Sequence, residues 1–274
     1  MAHAAEAVIN GEIRIDRGGF SLGAPDTPRA GAPWLMLANS LGATRAMWRP
    51  QHARLAAHYA IVGYHARGHG GSDAPPGPYG MDDLVNDAIA VMDQLSIRTT
   101  HFTGLSLGGM TELGLAIRHP ARLDALVCCD ARADCPPAAA AIWHGRVAAA
   151  EAGGLEAIAE ETLAGGFTPA FRAREPDAVR RWRAMVLQTS MVGYRGAAHA
   201  VTTCDWCEGL PSINVPTLYV CGAQDQGSPP AAMRAMTAAT PGAVSAEVED
   251  AAHLPNIYNA PAFEAAIAPF LKLA

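Results

Sequence analysis

Short apolar runs of strand length alternate with helical patterns along most of this 274-residue chain. This alternation predicts right-handed βαβ units, and therefore an α/β fold in which a mostly parallel central sheet is flanked by helices. The runs are nearly continuous in apolar residues, which is typical of strands that are buried on both faces of the sheet. The predicted strands are Trp34–Ala38, Ala60–Tyr64, Thr100–Thr103, Leu123–Cys129, Thr217–Cys221 and Val244–Val248.

The alternation stops between Ala131 and Leu210, where helical patterns follow one another without a strand. A helical insertion between two strands is most economically a cap over the carboxyl edge of the sheet, the edge that carries ligands in open α/β folds. We therefore expect a core formed by residues 1–130 and 211–274 and an all-helical cap at residues 131–210. The predicted helices of the cap are Pro136–Ala150, Leu155–Ala164, Asp177–Leu187 and Tyr194–Cys204.

Two elements are predicted outside these strands and the cap. The alternating segment Val8–Asp16 has Asn10-Gly11 near its start, a pair that is typical of the turn of a β-hairpin. Met81–Leu95 is predicted to form an amphipathic helix, because its apolar residues recur at helical spacing. The aspartates of this helix, Asp87 among them, are expected to lie largely off its apolar face.

Composition excludes several classes of partner. The net charge is −6, which argues against a nucleic acid or an anionic membrane surface as partner. No apolar stretch reaches the roughly 18 residues of a transmembrane helix, and the N-terminus lacks the pattern of a secretory signal. We therefore expect a cytoplasmic protein. The six cysteines do not suggest a disulfide scaffold, and the lone pair Cys204 and Cys207 lacks the second ligand pair that a zinc site requires.

The segment Gly104-Leu105-Ser106-Leu107-Gly108 lies between a predicted strand and a helical pattern. Gly-x-Ser-x-Gly in this position is typical of a nucleophile elbow, a tight turn whose strained central residue lifts its hydroxyl clear of the sheet. The flanking glycines are needed because a Cβ there would collide with the neighbouring strand or helix. We predict that Ser106 is a nucleophile, and an ordinary glycine-rich turn is the alternative.

A serine hydroxyl needs a base that takes its proton, and an imidazole needs a carboxylate that fixes its tautomer. His253 follows the strand Val244–Val248 at the carboxyl edge of the sheet and is the predicted base. Asp225 follows the strand Thr217–Cys221 at the same edge and is the predicted orienting acid. Asp130 is the competing acid.

An acyl-transfer reaction also needs two backbone N–H groups that stabilise the developing oxyanion. One is predicted to be the N–H of Leu107, directly after the nucleophile. The other is predicted to be the N–H of Leu41, in the loop Asn39–Gly42 that follows the first strand of the main sheet. Arg67 and His69 are interpreted as braces for the loops at this edge. This chemistry requires neither a metal nor an organic cofactor.

Four segments give the chain a resemblance to the α/β-hydrolase family over essentially its whole length. They are Asn39–Gly42, Ala66–Ser72, Gly104–Met110 and Ala251–Asn256. Within the family, the chain is most similar to the 3-oxoadipate enol-lactonases and related small esterases. The resemblance implies hydrolysis of a small-molecule carboxylic ester or lactone through an acyl-enzyme.

Several activities remain as alternatives. Short-chain carboxylesterases, perhydrolases and carbon–carbon bond hydrolases use the same triad, and a hydrolase-like ligand receptor with slow turnover is the alternative from another class. The oligomeric state stays open, with a homo-oligomer as one alternative.

Four residues are candidates for contact with the substrate. Arg132, at the start of the insertion, is a candidate partner for a substrate carboxylate. Trp143 lies on the first predicted cap helix, and Trp48 and Met110 lie near the active loops. For these three residues, a place in the pocket wall and a place in the core are equal alternatives.

Overall fold

The computed structural model describes residues 7–9, 12–14, 21–23 and 31–273. Its first three strands pair as a small antiparallel sheet and are β1 (Ala7–Ile9), β2 (Glu12–Arg14) and β3 (Ser21–Gly23). The pairing of β1 with β2 agrees with the predicted hairpin. The predicted turn at Asn10-Gly11 lies outside the described residues.

The main sheet has six parallel strands in the described part of the chain, in the spatial order β5-β4-β6-β7-β8-β9. The predicted α/β fold with a parallel central sheet is therefore confirmed, and each predicted strand is present to within two residues at its end. The strands are β4 (Trp34–Ala38), β5 (Ala60–Gly63), β6 (Thr100–Leu105), β7 (Leu123–Cys129), β8 (Thr217–Gly222) and β9 (Val244–Val248).

The strand order reverses direction at β4, since β5 lies on one side of it and β6 on the other. The loops that leave β4 and β6 therefore diverge at the carboxyl edge, and such switch points are where open α/β sheets bind ligands. The segment Gly104–Gly108 continues from β6, and Asn39–Gly42 continues from β4. The fold thus brings the predicted nucleophile and the predicted oxyanion loop to one edge.

Helices follow most strands, and five of them lie between β7 and β8. One of these five, α6, was not predicted. It is a single short helix that begins with a proline after Thr168, whose hydroxyl accepts a hydrogen bond from the Phe171 N–H. The helices are α1 (Arg49–Ala56), α2 (Met81–Gln94), α3 (Leu107–Arg118), α4 (Pro137–Gly153), α5 (Glu156–Gly166), α6 (Pro169–Arg174), α7 (Pro176–Leu187), α8 (Met191–Thr202), α9 (Pro230–Ala239), α10 (Pro255–Tyr258) and α11 (Ala260–Leu271).

The amphipathic helix α2 differs from its prediction at one residue. Asp87 was expected off the apolar face, and this is wrong, because Asp87 is buried among the apolar residues of the helix. The Arg67 guanidinium donates two hydrogen bonds of 2.6 Å to its carboxylate. Burial raises the pKa of Asp87 despite this pairing. An ion pair with Arg67 thus takes the place of solvent, as a buried carboxylate requires.

The core lies on both faces of the sheet. One layer packs β4, β6 and β7 against α2 and α3, and includes the fully buried Phe102. The other layer packs the opposite faces of the same strands against α11 and parts of the insertion. The edge strand β9 is an exception to the prediction of strands buried on both faces, since Val244 is 51% exposed.

Replacing Phe102 by Ala is expected to destabilise the protein by about 3–5 kcal/mol, because it leaves a cavity in a fully buried layer. Urea denaturation measures this loss as a change in midpoint. The matched control is Ile142→Ala in α4, whose side chain is 55% exposed, and it is expected to change stability by less than about 0.5 kcal/mol. Equal effects of the two substitutions would contradict the described core.

Candidate active site

Ser106 occupies a strained turn between β6 and α3. Its backbone has φ +57° and ψ −112°, a conformation that a residue with a side chain rarely adopts. The Ser106 N–H donates a 2.8 Å hydrogen bond to the carbonyl of Cys129 at the end of β7. The turn is therefore fixed to the neighbouring strand, with Ser106 partly exposed at the carboxyl edge of the sheet.

The glycines of this turn are required by close packing. A Cβ on Gly104 would lie 2.4 Å from the carbonyl carbon of Gly108, and a Cβ on Gly108 would lie 2.6 Å from the carbonyl oxygen of Ala38. Both distances are far shorter than van der Waals contact. The Gly108 N–H also donates to the Asn39 carbonyl at 3.1 Å. The structure therefore has the geometry of a nucleophile elbow.

His253 and Asp225 meet at the same edge. Nδ1 of His253 lies 2.8 Å from Oδ2 of Asp225, and the Gly227 N–H donates to Oδ1 of Asp225 at 2.8 Å. The Asp225 side chain is completely buried, and that of His253 is 22% exposed. A Cβ on Gly222 would lie 2.1 Å from the Ala252 carbonyl, so this glycine lets the His253 segment approach β8. The carboxylate thus holds the imidazole by one nitrogen.

The electrostatics of the pair favour an ionised acid. Burial works to raise the pKa of Asp225, but the charge and hydrogen bond of His253, with the N–H groups of Gly227 and Ser228, bring the pKa below its ordinary value. Burial works to lower the pKa of His253, but the charge and hydrogen bond of Asp225 outweigh it and raise the pKa. The pairing therefore favours an ionised Asp225 beside a protonated His253.

The structure does not join Ser106 to His253 by a hydrogen bond. Within the described residues, the Ser106 hydroxyl has no hydrogen-bond partner. Such contacts are often long in structures without substrate and tighten when substrate binds. The connection between nucleophile and base therefore stays a prediction.

The loop Asn39–Gly42 is held by hydrogen bonds on both sides of Leu41. The Ser40 N–H lies 3.4 Å from Sδ of Met47, and the Gly42 N–H donates to Nε2 of His69 at 3.0 Å. Burial lowers the pKa of His69, which keeps this nitrogen able to accept. His69 thus braces the loop, as the sequence suggested.

The two N–H groups that were predicted to bind the oxyanion are both available as donors. Across residues 31–273, neither the Leu41 N–H nor the Leu107 N–H has a hydrogen-bond acceptor. Leu107 is the first residue of α3, where helical N–H groups have no partner within the helix. Both residues are buried, and their free N–H groups at a switch point can donate hydrogen bonds to a bound oxygen.

The candidate residues for substrate contact differ in their surroundings. Trp48 is 2% exposed, and its ring N–H lies 3.3 Å from the Ala38 carbonyl. Met110 is also buried, and its carbonyl accepts from the Trp206 ring N–H at 3.0 Å. These contacts favour packing over substrate contact for Trp48 and Met110.

Arg132 and Trp143 lie nearer the surface. Arg132 donates to Asp134 through Nε at 3.1 Å and Nη2 at 2.7 Å, so a substrate carboxylate would compete with Asp134. Trp143 is partly buried against the core, and the guanidinium of Arg146 lies 5.3 Å from its ring centre. Contact of either residue with the substrate stays a prediction.

One group of side chains in the described chain has the spacing of metal ligands. It consists of Asp130, Asp225 and His253, whose nearest ligand atoms lie within 4.8 Å of one another. Nδ1 of His253 is already engaged by Asp225, so the group is organised as a hydrogen-bonded pair with a second acid beside it. The described cysteines are free thiols. None of the helices in the described part is long and apolar enough to cross a membrane.

Sequence reasoning missed Glu112. It is completely buried on α3, where its carboxyl group lies beside the Cys128 thiol and the Gly104 backbone. Burial raises the pKa of Glu112 well above its ordinary value, so the carboxyl group is neutral. Its place in an otherwise apolar helical stretch is the only sequence signal for this burial.

Comparison with known proteins places these features in context. Residues 33–260 match the family model of the alpha/beta hydrolase fold. The chain is 33% identical over 244 residues to 3-oxoadipate enol-lactonase 2 of Acinetobacter baylyi, which covers 89% of this chain and 90% of the relative.

Two solved structures are also similar to this chain. An enol-lactonase from Burkholderia xenovorans LB400 superposes with a TM-score of 0.89 at 35% identity, covering 98% of this chain and 100% of the other. A thermophilic esterase from Thermogutta terrifontis superposes with a TM-score of 0.85 at 26% identity, covering 98% of both chains.

Replacing Gly108 by Ala is expected to destabilise the protein by about 1–3 kcal/mol, because the new Cβ must displace the backbone of Ala38. The matched control is Gly145→Ala in α4, where a Cβ meets no atom within 4 Å. Alanine suits a helix better than glycine, so the control is expected to gain up to about 1 kcal/mol. Both changes are measured by urea denaturation, and a Gly108→Ala protein as stable as the control would refute the packing argument.

Proposed function

Because the chain belongs to the α/β-hydrolase family, we propose that it hydrolyses a small-molecule carboxylic ester or lactone with Ser106 as nucleophile, His253 as base and Asp225 as orienting acid. The observation that carries this proposal is the 2.8 Å contact between His253 and Asp225 at the edge where the elbow presents Ser106. The similarity to enol-lactonases and an esterase supports the reaction class.

The proposed reaction begins with attack of the Ser106 oxygen on the substrate carbonyl while Nε2 of His253 takes the hydroxyl proton. The negative oxygen that forms accepts hydrogen bonds from the N–H groups of Leu41 and Leu107. The carbon–oxygen bond to the leaving group then breaks, and the imidazolium of His253 returns its proton to the leaving oxygen. Asp225 remains ionised throughout.

The second half of the reaction removes the acyl group from Ser106. A water molecule gives its proton to His253 and attacks the acyl carbon, and the bond to the Ser106 oxygen then breaks. His253 returns the proton to Ser106, and the enzyme is restored. Each proton that leaves an oxygen is thus received by the same nitrogen.

An enol-lactone is the substrate class that the relatives favour. Both 3-oxoadipate enol-lactonases of Acinetobacter baylyi match this chain over nearly its whole length, at 33% and 31% identity. An enol is a stabilised leaving group, so ring opening to the acyl-enzyme should be easy, and deacylation should matter more for the overall rate. A short-chain carboxylic ester is the second candidate, because the esterase likeness covers the chain equally well.

The helices between β7 and β8 support a role for residues 131–210 as a cap. The Ser190 N–H donates to the Gly68 carbonyl at 2.9 Å, and a Cβ on Gly68 would lie 2.2 Å from Cα of Gly193 in α8. Val186 of α7 lies beside Gly42, 3.4 Å from the position of a Cβ there. The insertion therefore packs directly on the loops that leave β4 and β5, and we propose that it bounds the substrate pocket.

Replacing Ser106 by Ala is expected to lower kcat/KM by about 10⁴-fold or more, because no acyl-enzyme can form. The assay compares three substrates: 3-oxoadipate enol-lactone, p-nitrophenyl acetate and a diketone whose hydrolysis breaks a carbon–carbon bond. The matched control is Ser96→Ala, an exposed serine with nearly the same backbone φ of +56°. Hydrolysis that survives in Ser106→Ala would refute the proposed nucleophile, and cleavage of the ester without the lactone would favour the esterase.

The pH dependence of kcat/KM tests the base. His253 must be neutral to accept a proton, and its pKa is raised, so activity is expected to fall as the pH drops through a value above about 6.5. Asp225→Asn removes the charge that raises this pKa, so the acid limb should move to lower pH while kcat falls about 10⁴-fold. The control is Asp93→Asn on α2, whose side chain is 61% exposed. An acid limb that stays in place in Asp225→Asn would assign the orienting charge to another group.

A further inference from the structure

Asp130 is a completely buried acid that the proposed reaction does not use. It follows β7 directly and has a positive φ of +44°. Its Oδ1 accepts a hydrogen bond from the Gly222 N–H at 2.9 Å, whereas Oδ2 has no partner in the described chain. Its backbone is held as well, since the Ser228 hydroxyl donates to its carbonyl at 2.9 Å. A buried residue fixed in this way presents its free oxygen in one direction.

A carboxylate oxygen of Asp130 belongs to the group in which ligand atoms of Asp130, Asp225 and His253 lie within 4.8 Å of one another. In a buried site, an ionised carboxylate this close strongly disfavours ionisation of the other. The ionised form is better stabilised at Asp225, because Asp225 contacts His253 as well as the Gly227 N–H. The Asp130 carboxyl group is the neutral one.

The titratable groups near Asp130 are consistent with a neutral Asp130 carboxyl group. Burial, followed by the charge of Asp225, raises the pKa of Asp130 well above its ordinary value. On the neighbouring strands, burial raises the pKa of the Cys129 and Cys221 thiols, which stay neutral. From the insertion, the charge of Arg146 opposes, without reversing, the rise in the pKa of His253 that Asp225 causes. No lysine or arginine among the described residues forms an ion pair with Asp130.

We propose that Asp130 is a protonated positioning residue whose Oδ2–H donates a hydrogen bond to the Asp225 carboxylate. A protonated Oδ2 needs an acceptor, and the Asp225 carboxylate is the one in its cluster. The hydrogen bond would keep Asp225 from rotating away from His253 and would moderate its charge. This proposal rests on the proposed roles of His253 and Asp225.

The test is the titration of His253, followed by NMR on the whole protein without substrate, together with the pH profile of kcat/KM. In Asp130→Asn, the amide keeps the neutral charge and the donor, so the pKa of His253 should move by less than about 0.3. Its kcat/KM should stay within about threefold of the wild type. In Asp130→Ala, Asp225 loses a donor, so the pKa of His253 should rise and kcat/KM should fall about tenfold.

The matched control is Glu112→Gln, which makes the same chemical change at another fully buried neutral carboxyl group. It is expected to leave the pKa of His253 in place. A fall in the pKa of His253 by about one unit in Asp130→Asn would overturn the proposal, because it would mean that Asp130 carries a charge. A wild-type pKa and pH profile in Asp130→Ala would also overturn it.

These outcomes are separate from those of the proposed reaction. The NMR titration needs no turnover, so it decides the state of Asp130 even if Ser106→Ala shows that another residue is the nucleophile. If Asp130→Ala does not fold, the titration of His253 in Asp130→Asn still distinguishes a neutral from a charged Asp130.

Discussion

The close approach of β4, β6 and the first turn of α3 is the constraint on which the site depends. Gly104 and Gly108 leave no room for a Cβ, and the Gly108 N–H is bonded to the Asn39 carbonyl. The helix and the strands therefore lie closer together than side chains at these two positions would allow. Ser106, between the two glycines, has a positive φ, a strain of order 1–3 kcal/mol that the surrounding packing must offset. It also fixes the distance between the loop after β4 and the start of α3.

A second constraint is the unequal environment of two neighbouring acids. Asp225 contacts an imidazole and a backbone N–H, whereas Asp130 contacts one N–H and has a free oxygen. Burial disfavours ionisation of both, but only Asp225 has enough donors to overcome it. The same residue type at two strand ends therefore has a lowered pKa in one place and a raised pKa in the other. These contacts, and not position along the chain alone, are the reason that we propose Asp225 as the orienting acid.

Much of the fold was predictable because its signals are local. Apolar runs of strand length and a glycine-flanked serine report directly on backbone conformation, and the six strands and the elbow are present as predicted. The pairing of His253 with Asp225 followed from one topological rule, that parallel strands end at one edge. Burial of single polar residues was not predictable in this way. Asp87 and Glu112 are buried beside groups on other segments, Arg67 for Asp87 and Cys128 for Glu112, and such pairings cannot be read from the sequence of one helix.

The choice of substrate depends on a different part of the molecule. Enol-lactonase and esterase structures superpose on this chain almost equally well, so the shared core does not distinguish their substrates. The insertion between β7 and β8 contacts the loops of the active edge through Gly193 and Val186. Its charges also reach His253, because the charge of Arg146 in α4 opposes, without reversing, the rise that Asp225 causes in the pKa of His253, while the Arg146 guanidinium is bonded to Glu161. Under the proposed function, a change in these helices would alter both the boundary of the substrate pocket and the charges around His253, which the motifs alone do not encode.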